Sequence, residues 1–191
     1  MNITAVNAQL SYFPDFIRLS ESYRLFEQIQ HEIAWRQEEI ILYGKKVTIP
    51  RLQAWYGDTN SHYSYSNLTM QPVPWLPVLQ DLKKKVEQCL AQDFNAMLAN
   101  LYRNQSDSVA WHSDDEKELS IQPVIASLSF GEERNFLLKH KVSGEKLTIP
   151  LKSGSLFVMA GETQQYWQHC LPRTKKEKRA RINLTFRKIV L

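Results

Sequence analysis

Cysteine is scarce: Cys89 and Cys170 are the only two in 191 residues. Two thiols in a chain this long do not make a disulfide framework, and a reducing intracellular compartment fits best. That compartment would be the cytoplasm in a bacterium or the nucleus in a eukaryote. No apolar run is long enough to span a bilayer, so no membrane association is expected. The N-terminus shows no basic region followed by an apolar stretch, so a secretory signal is not expected. Repeats, linkers and low-complexity segments are also lacking, which leaves one domain with one sizeable core.

What is present is charge, unevenly spread. The net charge is +4. Lys83-Lys84-Lys85 forms one basic cluster, and Arg173, Lys175, Lys176, Lys178, Arg179 and Arg181 form another. Asp107, Asp114, Asp115, Glu116 and Glu118 crowd around His112 in the sequence. Charge runs of this kind are commonly solvated faces. A basic surface with one acidic pocket also suits a polyanionic partner and a bound cation.

Leu19, Tyr23, Phe26, Ile29 and Ile33 recur at helical spacing and predict a helix from about 18 to 35, with Ser20 in the N-cap position. Leu79, Leu82, Val86 and Leu90 predict a second from Leu76 to about Met97, with Pro74 just ahead. Between them, 39–42 and 47–49 flank Tyr43-Gly44-Lys45-Lys46 as a β-hairpin tip. Tyr56, Tyr63 and Tyr65 follow, interrupted by the Gly57-Asp58 turn. Short strands are then expected near 97–103, 108–112, 124–130, 134–140, 146–150, 155–160, 164–170 and 180–188. This density argues for a sandwich, barrel or jelly roll. The expected order is helices first, then a β core.

His112 and Asp114 stand two apart, so a strand end would project both toward one ion. His169, from another strand, would complete two imidazoles and a carboxylate on one face of an octahedron, leaving three positions open. His-x-Asp alone is weak, because a lone histidine is more often an ordinary polar residue. In the last strand Arg181, Asn183, Thr185 and Arg187 alternate with Ile182, Leu184 and Phe186, which puts the polar groups on one face. That pattern suits a wet surface strand, or a strand returning beside the metal. In the second case an arginine could grip a carboxylate through charge-assisted hydrogen bonds, roughly 1.5–3 kcal/mol each. Asn100 and Tyr102 offer the same spacing with uncharged donors. Cys170 could in principle join His112, Asp114 and His169 around zinc, but its neighbour His169 would face the other side of the strand.

These pieces resemble the AlkB family of Fe(II)- and 2-oxoglutarate-dependent nucleic-acid dealkylases, and the stretch from Tyr43 through Ile49-Pro50-Arg51 to Tyr65 resembles its duplex-DNA-preferring branch. The likeness runs from about Ile41 to Ile189. It is carried by Pro50-Arg51, Tyr56-Gly57-Asp58, Asn100-Leu101-Tyr102-Arg103, Trp111-His112-Ser113-Asp114-Asp115-Glu116, Ser127-Leu128-Ser129-Phe130-Gly131, His169 with Pro172, and Arg181-Ile182-Asn183-Leu184-Thr185-Phe186-Arg187. The resemblance implies a mainly β, α+β fold: a double-stranded β-helix (jelly-roll) core with N-terminal helices and a nucleotide-recognition lid. Residues 1–75 would hold the first helix and lid, and residues 76–191 the second helix and catalytic core.

It also implies Fe(II) on His112, Asp114 and His169, and 2-oxoglutarate with O2 as co-substrates. Asn100, Tyr102, Arg181, Asn183, Thr185 and Arg187 would surround 2-oxoglutarate, with Arg181 favoured for the distal carboxylate and Arg187 for the keto-acid end. The implied activity is oxidative demethylation of bases such as 1-methyladenine and 3-methylcytosine in single-stranded or duplex DNA, by a monomer. RNA as substrate and a non-catalytic nucleic-acid binder are the alternatives. A target base must leave the stack to reach the metal. Tyr63 and Tyr65 would form a stacking wall, Glu116 would read a base edge, and Tyr43 would wedge into the gap. Arg51, Lys45, Lys46 and the 173–179 cluster would contact phosphates.

Overall fold

The computed structural model describes every residue except Tyr43, Asn60, His62, Ser66, Asn67 and Leu191; for Leu42, 63–65 and 68–70 it describes the backbone alone. Two antiparallel sheets carry the molecule. The larger contains β1 (Asn2–Ala5), β2 (Ala8–Phe13), β5 (Leu52–Gly57), β8 (Ala96–Tyr102), β10 (Ile125–Gly131), β13 (Leu156–Ala160) and β15 (Arg181–Arg187), in the order β1-β2-β13-β10-β15-β8-β5. The smaller contains β9 (Val109–His112), β11 (Arg134–His140), β12 (Lys146–Leu151) and β14 (Trp167–Leu171), in the order β12-β11-β14-β9. Both orders cross between non-consecutive strands, the wiring of a jelly roll.

The expectation of helices before strands is corrected at the N-terminus, since β1 and β2 extend the large sheet through β2–β13 pairing. Two further hairpins stand apart from both sheets: β3 (Glu39–Leu42) with β4 (Lys45–Thr48), and β6 (Tyr63–Tyr65) with β7 (Leu68–Met70). They occupy the segments assigned to the lid. Leu42 pairs with Lys45 at the end of the first hairpin.

Helix α1 (Leu19–Glu32) buries Ser22, Leu25 and Ile29 and exposes Leu19 and Tyr23. The predicted apolar stripe is therefore rotated, because a serine takes a core position. Ser22 sits where the helix comes closest to the Ser153-Gly154 turn, and its hydroxyl bonds to the Leu19 carbonyl and Ser153 Oγ. Gly154 has φ +79°, and a Cβ there would strike the Ile17 carbonyl oxygen. Ser20 is not the cap; Arg18 holds that position without a side-chain bond.

Helix α2 (Pro77–Leu90) buries Val78, Leu79, Leu82 and Val86 and stops at Ala91, whose backbone is left-handed at φ +49°. It ends well before Met97, which lies on β8. Both helices cover the outer face of the large sheet, sharing one core with Ile182, Leu184 and Phe186. A second core fills the space between the sheets, where Phe136 of β11 meets Phe157 of β13 with ring centroids 5.7 Å apart. Among the described residues no helix is long and apolar enough to cross a membrane.

Candidate active site

β9 and β14 lie side by side with His112 opposite His169, and their rings meet edge to face at 4.3 Å between centroids. Asp114 follows two residues beyond the end of β9 and is 1% exposed. The ligand-capable atoms of His112, Asp114 and His169 all lie within 4.8 Å of one another. Cys170 takes no part in that group, and burial raises its thiol to about 11, which argues against a thiolate zinc site.

The protonation states suit a cation. His112 Nδ1 lies 2.8 Å from the Ala110 carbonyl oxygen, so Nδ1–H donates there and Nε2 keeps its lone pair. Burial lowers the pKa of both imidazoles, that of His169 to about 3 with help from the His112 charge. Burial alone would raise Asp114, but Arg187, His169 and His112 outweigh it and hold the carboxyl at about 2. Two neutral imidazoles and an anionic carboxylate are the forms a divalent metal requires, so the residues present fit Fe(II).

The adjoining pocket, a cavity of about 50 Å³, draws its walls from both sheets. His112, His169 and Phe136 come from the small sheet, while Asn100, Tyr102, Ser127, Met159, Asn183, Thr185 and Arg187 come from the large one. β15 is buried along its whole length, so it is not a wet surface strand. Its apolar side chains enter the outer core. On its other face Asn183 donates to Ser127 Oγ at 2.7 Å, and Thr185 donates to Asn183 Oδ1 at 2.8 Å.

Arg187 reaches the metal ligand itself, with Nη2 2.8 Å from Asp114 Oδ1. Arg181 stands behind Tyr102, its Cζ 5.4 Å from that ring's centroid, rather than among the residues lining the pocket. It is 2% exposed; Nη2 donates to Ser129 Oγ, and Nε has no hydrogen-bond partner among the described residues. Burial lowers its pKa to about 10. A buried guanidinium with an unused N–H suits an incoming carboxylate.

The substrate side is less well gathered. Arg51, expected at a phosphate, is 4% exposed and lines the pocket. Its Nε donates to Asn100 Oδ1 at 2.7 Å, and Gln53 Nε2 donates to the same oxygen at 3.1 Å. Glu116 lines a neighbouring cleft that shares Asp114 with the pocket. Tyr63 and Tyr65 sit on β6, whose backbone alone is described, and Tyr43 lies outside the described residues.

Of the acidic residues near His112 in the sequence, only Asp114 lines the pocket; Asp107 is bound by Arg103 and Asp115 faces Lys141 at 3.7 Å. Lys178 and Arg179 are both paired with Glu132. Two residues that the sequence reading passed over are buried beside the site. Arg134 donates to the carbonyls of Asn104, Asp107 and Pro172, and Gln164 accepts from the Asp114 N–H at 2.9 Å. Neither stands in a pattern that marks it.

The 2OG-Fe(II) oxygenase superfamily matches residues 9–187. Alpha-ketoglutarate-dependent dioxygenase alkB homolog 3 from Mus musculus is 41% identical over 95% of this chain and 66% of its own length. The homolog 3 from Bos taurus is 44% identical over 92% of this chain and 64% of its own. DNA oxidative demethylase ALKBH2 from Homo sapiens is 38% identical over 90% of this chain and 70% of its own. The chain thus spans about two thirds of the length of these relatives. A solved structure described as that of OsALKBH1 shares the fold, with a TM-score of 0.65 at 16% identity, covering 94% of this chain and 97% of that one. A jelly roll that brings two histidines, an aspartate and buried arginines to one pocket therefore agrees with the sequence comparisons, and the chain belongs to the AlkB family within the 2OG-Fe(II) oxygenase superfamily.

Proposed function

We propose that the protein is an oxidative demethylase of nucleic acids, acting on N-alkylated bases such as 1-methyladenine and 3-methylcytosine in DNA. The observation that carries this reading is the convergence of His112, Asp114 and His169 in a pocket walled in part by β15. Fe(II), when bound, would supply with 2-oxoglutarate and O2 the hydroxylation of the alkyl carbon, one oxygen atom entering the substrate and the other entering succinate as CO2 leaves.

The chain's own residues would do the positioning. His112 and His169 would present neutral nitrogens. Asp114 would offer Oδ2 to the ion while Arg187 occupies Oδ1. Arg181, behind Tyr102, would take the distal carboxylate of the co-substrate, with Asn100, Tyr102, Asn183 and Thr185 along its length. Burial of this wall keeps water from the reacting carbon. The hydroxylated product would release formaldehyde. Names of the relatives support DNA as the substrate: ALKBH2 is described as a DNA oxidative demethylase.

The test is mass spectrometry of oligonucleotides carrying 1-methyladenine or 3-methylcytosine, incubated with the protein, Fe(II), 2-oxoglutarate and O2. Single-stranded DNA, duplex DNA and RNA form separate arms. Loss of 14 mass units per methyl group, by the mass balance of demethylation, with an Asp114→Ala control inactive, is the expected result. Activity on RNA alone would reassign the substrate, and no activity on any arm would sink the reading.

A further inference from the structure

We propose that Gln164 is a positioning residue for the metal carboxylate, fixing the main chain of Asp114 through its amide oxygen. The inference rests on the assignment of His112, Asp114 and His169 as ligands.

β9 ends at His112, so the ladder that orders the first imidazole no longer holds Asp114. A buried N–H beyond a strand end must find another acceptor. Asp114 finds it in Gln164 Oε1 at 2.9 Å, a bond between two buried groups fifty residues apart. Gln164 is 2% exposed and belongs to the short helix α3 (Thr163–Tyr166), immediately before β14. Its other amide atom, Nε2, lies 3.5 Å from Sδ of Met159, a pocket-lining residue, and its main-chain carbonyl oxygen accepts from Lys141 Nζ at 2.9 Å. The amide is therefore anchored at both ends.

The same segment touches the ligand stretch twice more. Ser113 Oγ donates to the Trp167 carbonyl at 2.9 Å, and His169 pairs with His112 across the strands. Residues 164–169 thus hold 112–114 at three successive positions, with Gln164 the contact at the main chain of the carboxylate-bearing residue. Removing it would leave His112 in its ladder while releasing Asp114, whose carboxylate would then have to be aimed by Arg187 alone. Groups that orient metal ligands typically change metal affinity by about 10–100-fold when lost.

Mn(II) serves as the probe, with the free ion followed by electron paramagnetic resonance and metal-free stability followed by thermal unfolding. Gln164→Met keeps length and removes the oxygen; Gln164→Asn shortens the reach; Gln164→Glu keeps an oxygen acceptor. Gln164→Met and Gln164→Asn are expected to bind Mn(II) at least about tenfold more weakly, with Gln164→Glu close to the unaltered protein. A role confined to packing would lower thermal stability and leave the affinity of the folded protein alone. Unchanged affinity in Gln164→Met overturns the proposal, as does a Gln164→Glu protein as weak as Gln164→Met. Should Gln164→Met not fold, Gln164→Asn decides by the same criterion. Failure of the unaltered protein to bind Mn(II), or undiminished binding by Asp114→Ala, would strike the ligand assignment itself and the proposal with it.

Discussion

Arg187 and Asp114 form a buried ion pair, Nη2 to Oδ1 at 2.8 Å, with both side chains about 5% exposed or less. The pair would leave one carboxylate oxygen for a cation. Oδ1 is committed to the arginine, while Oδ2 turns toward His169 Nε2 at 4.0 Å, so one oxygen faces the cation site. Breaking such a pair from one side leaves an uncompensated charge, a loss of roughly 3–5 kcal/mol. Arg187→Leu should destabilise the metal-free protein by about that amount. Saturating Mn(II) should recover more stability in the variant than in the parent, because the ion then supplies the missing positive charge. Urea unfolding with and without Mn(II) measures both. An equal loss in the two conditions would separate Arg187 from the metal site.

How much of this was legible in the sequence depended on what each segment packs against. β15 was readable because strict alternation of polar and apolar residues places them on opposite faces, and the expected strand at 134–140 coincides with β11. The register His112–His169 could not be read, since it joins strands distant in sequence. β1 and β2 do alternate, as Asn2-Ile3-Thr4-Ala5 and Ala8-Gln9-Leu10-Ser11-Tyr12, but each run is short and no expectation was placed on them. The first turn of the predicted strand at 164–170 is helix α3, where the backbone leaves the sheet to bring Gln164 onto Asp114. Arg51 reads as a surface cation by composition, yet Asn100 draws it inside. Buried polar networks follow tertiary geometry rather than local pattern.

Acid should destabilise the metal-free protein in a definite window. His169 has its ordinary value of 6.5 when unfolded and about 3 when folded, so between those pH values the unfolded chain binds the extra proton. Stability therefore rises with pH across that window and is lost as pH falls through it. Asp114 acts in the same direction lower down: its stabilisation is complete above the ordinary 3.8 and disappears as pH falls through about 2. One proton corresponds to a slope of about 1.4 kcal/mol per pH unit. His169→Asn should flatten the profile between pH 4 and 6 by up to about that slope. An unaltered slope in urea unfolding across this range would mean that His169 is not buried as a neutral ring.

Arg181→Lys preserves charge and removes the planar fork. The buried guanidinium already stacks on Tyr102 and has an unused Nε–H, and a lysine ammonium reproduces neither feature. The co-substrate concentration giving half-maximal succinate formation should rise about tenfold, equivalent to about 1.4 kcal/mol, with a smaller change at saturation. If neither Arg181→Lys nor Arg187→Lys alters that dependence, β15 does not hold the co-substrate.

Arg51 separates a pocket role from a phosphate role. Asn100 Oδ1 accepts from both Arg51 Nε and Gln53 Nε2, so the amide is held with its NH2 turned away from them. All that a co-substrate could take from Asn100 is then the donor end of that amide. Arg51→Leu removes the stronger of the two restraints and frees the amide to turn. The 2-oxoglutarate requirement should rise severalfold as a result, on the scale of one neutral hydrogen bond, about 1 kcal/mol. Nucleic-acid binding should keep its salt dependence. A lost phosphate contact on duplex DNA would instead lower the slope of log K against log salt by about 0.9. Fluorescence anisotropy of a labelled duplex over a salt series, beside a 2-oxoglutarate titration of succinate formation, distinguishes the two. A reduced salt slope with an unchanged co-substrate requirement would return Arg51 to the nucleic-acid surface and remove it from the orientation of Asn100.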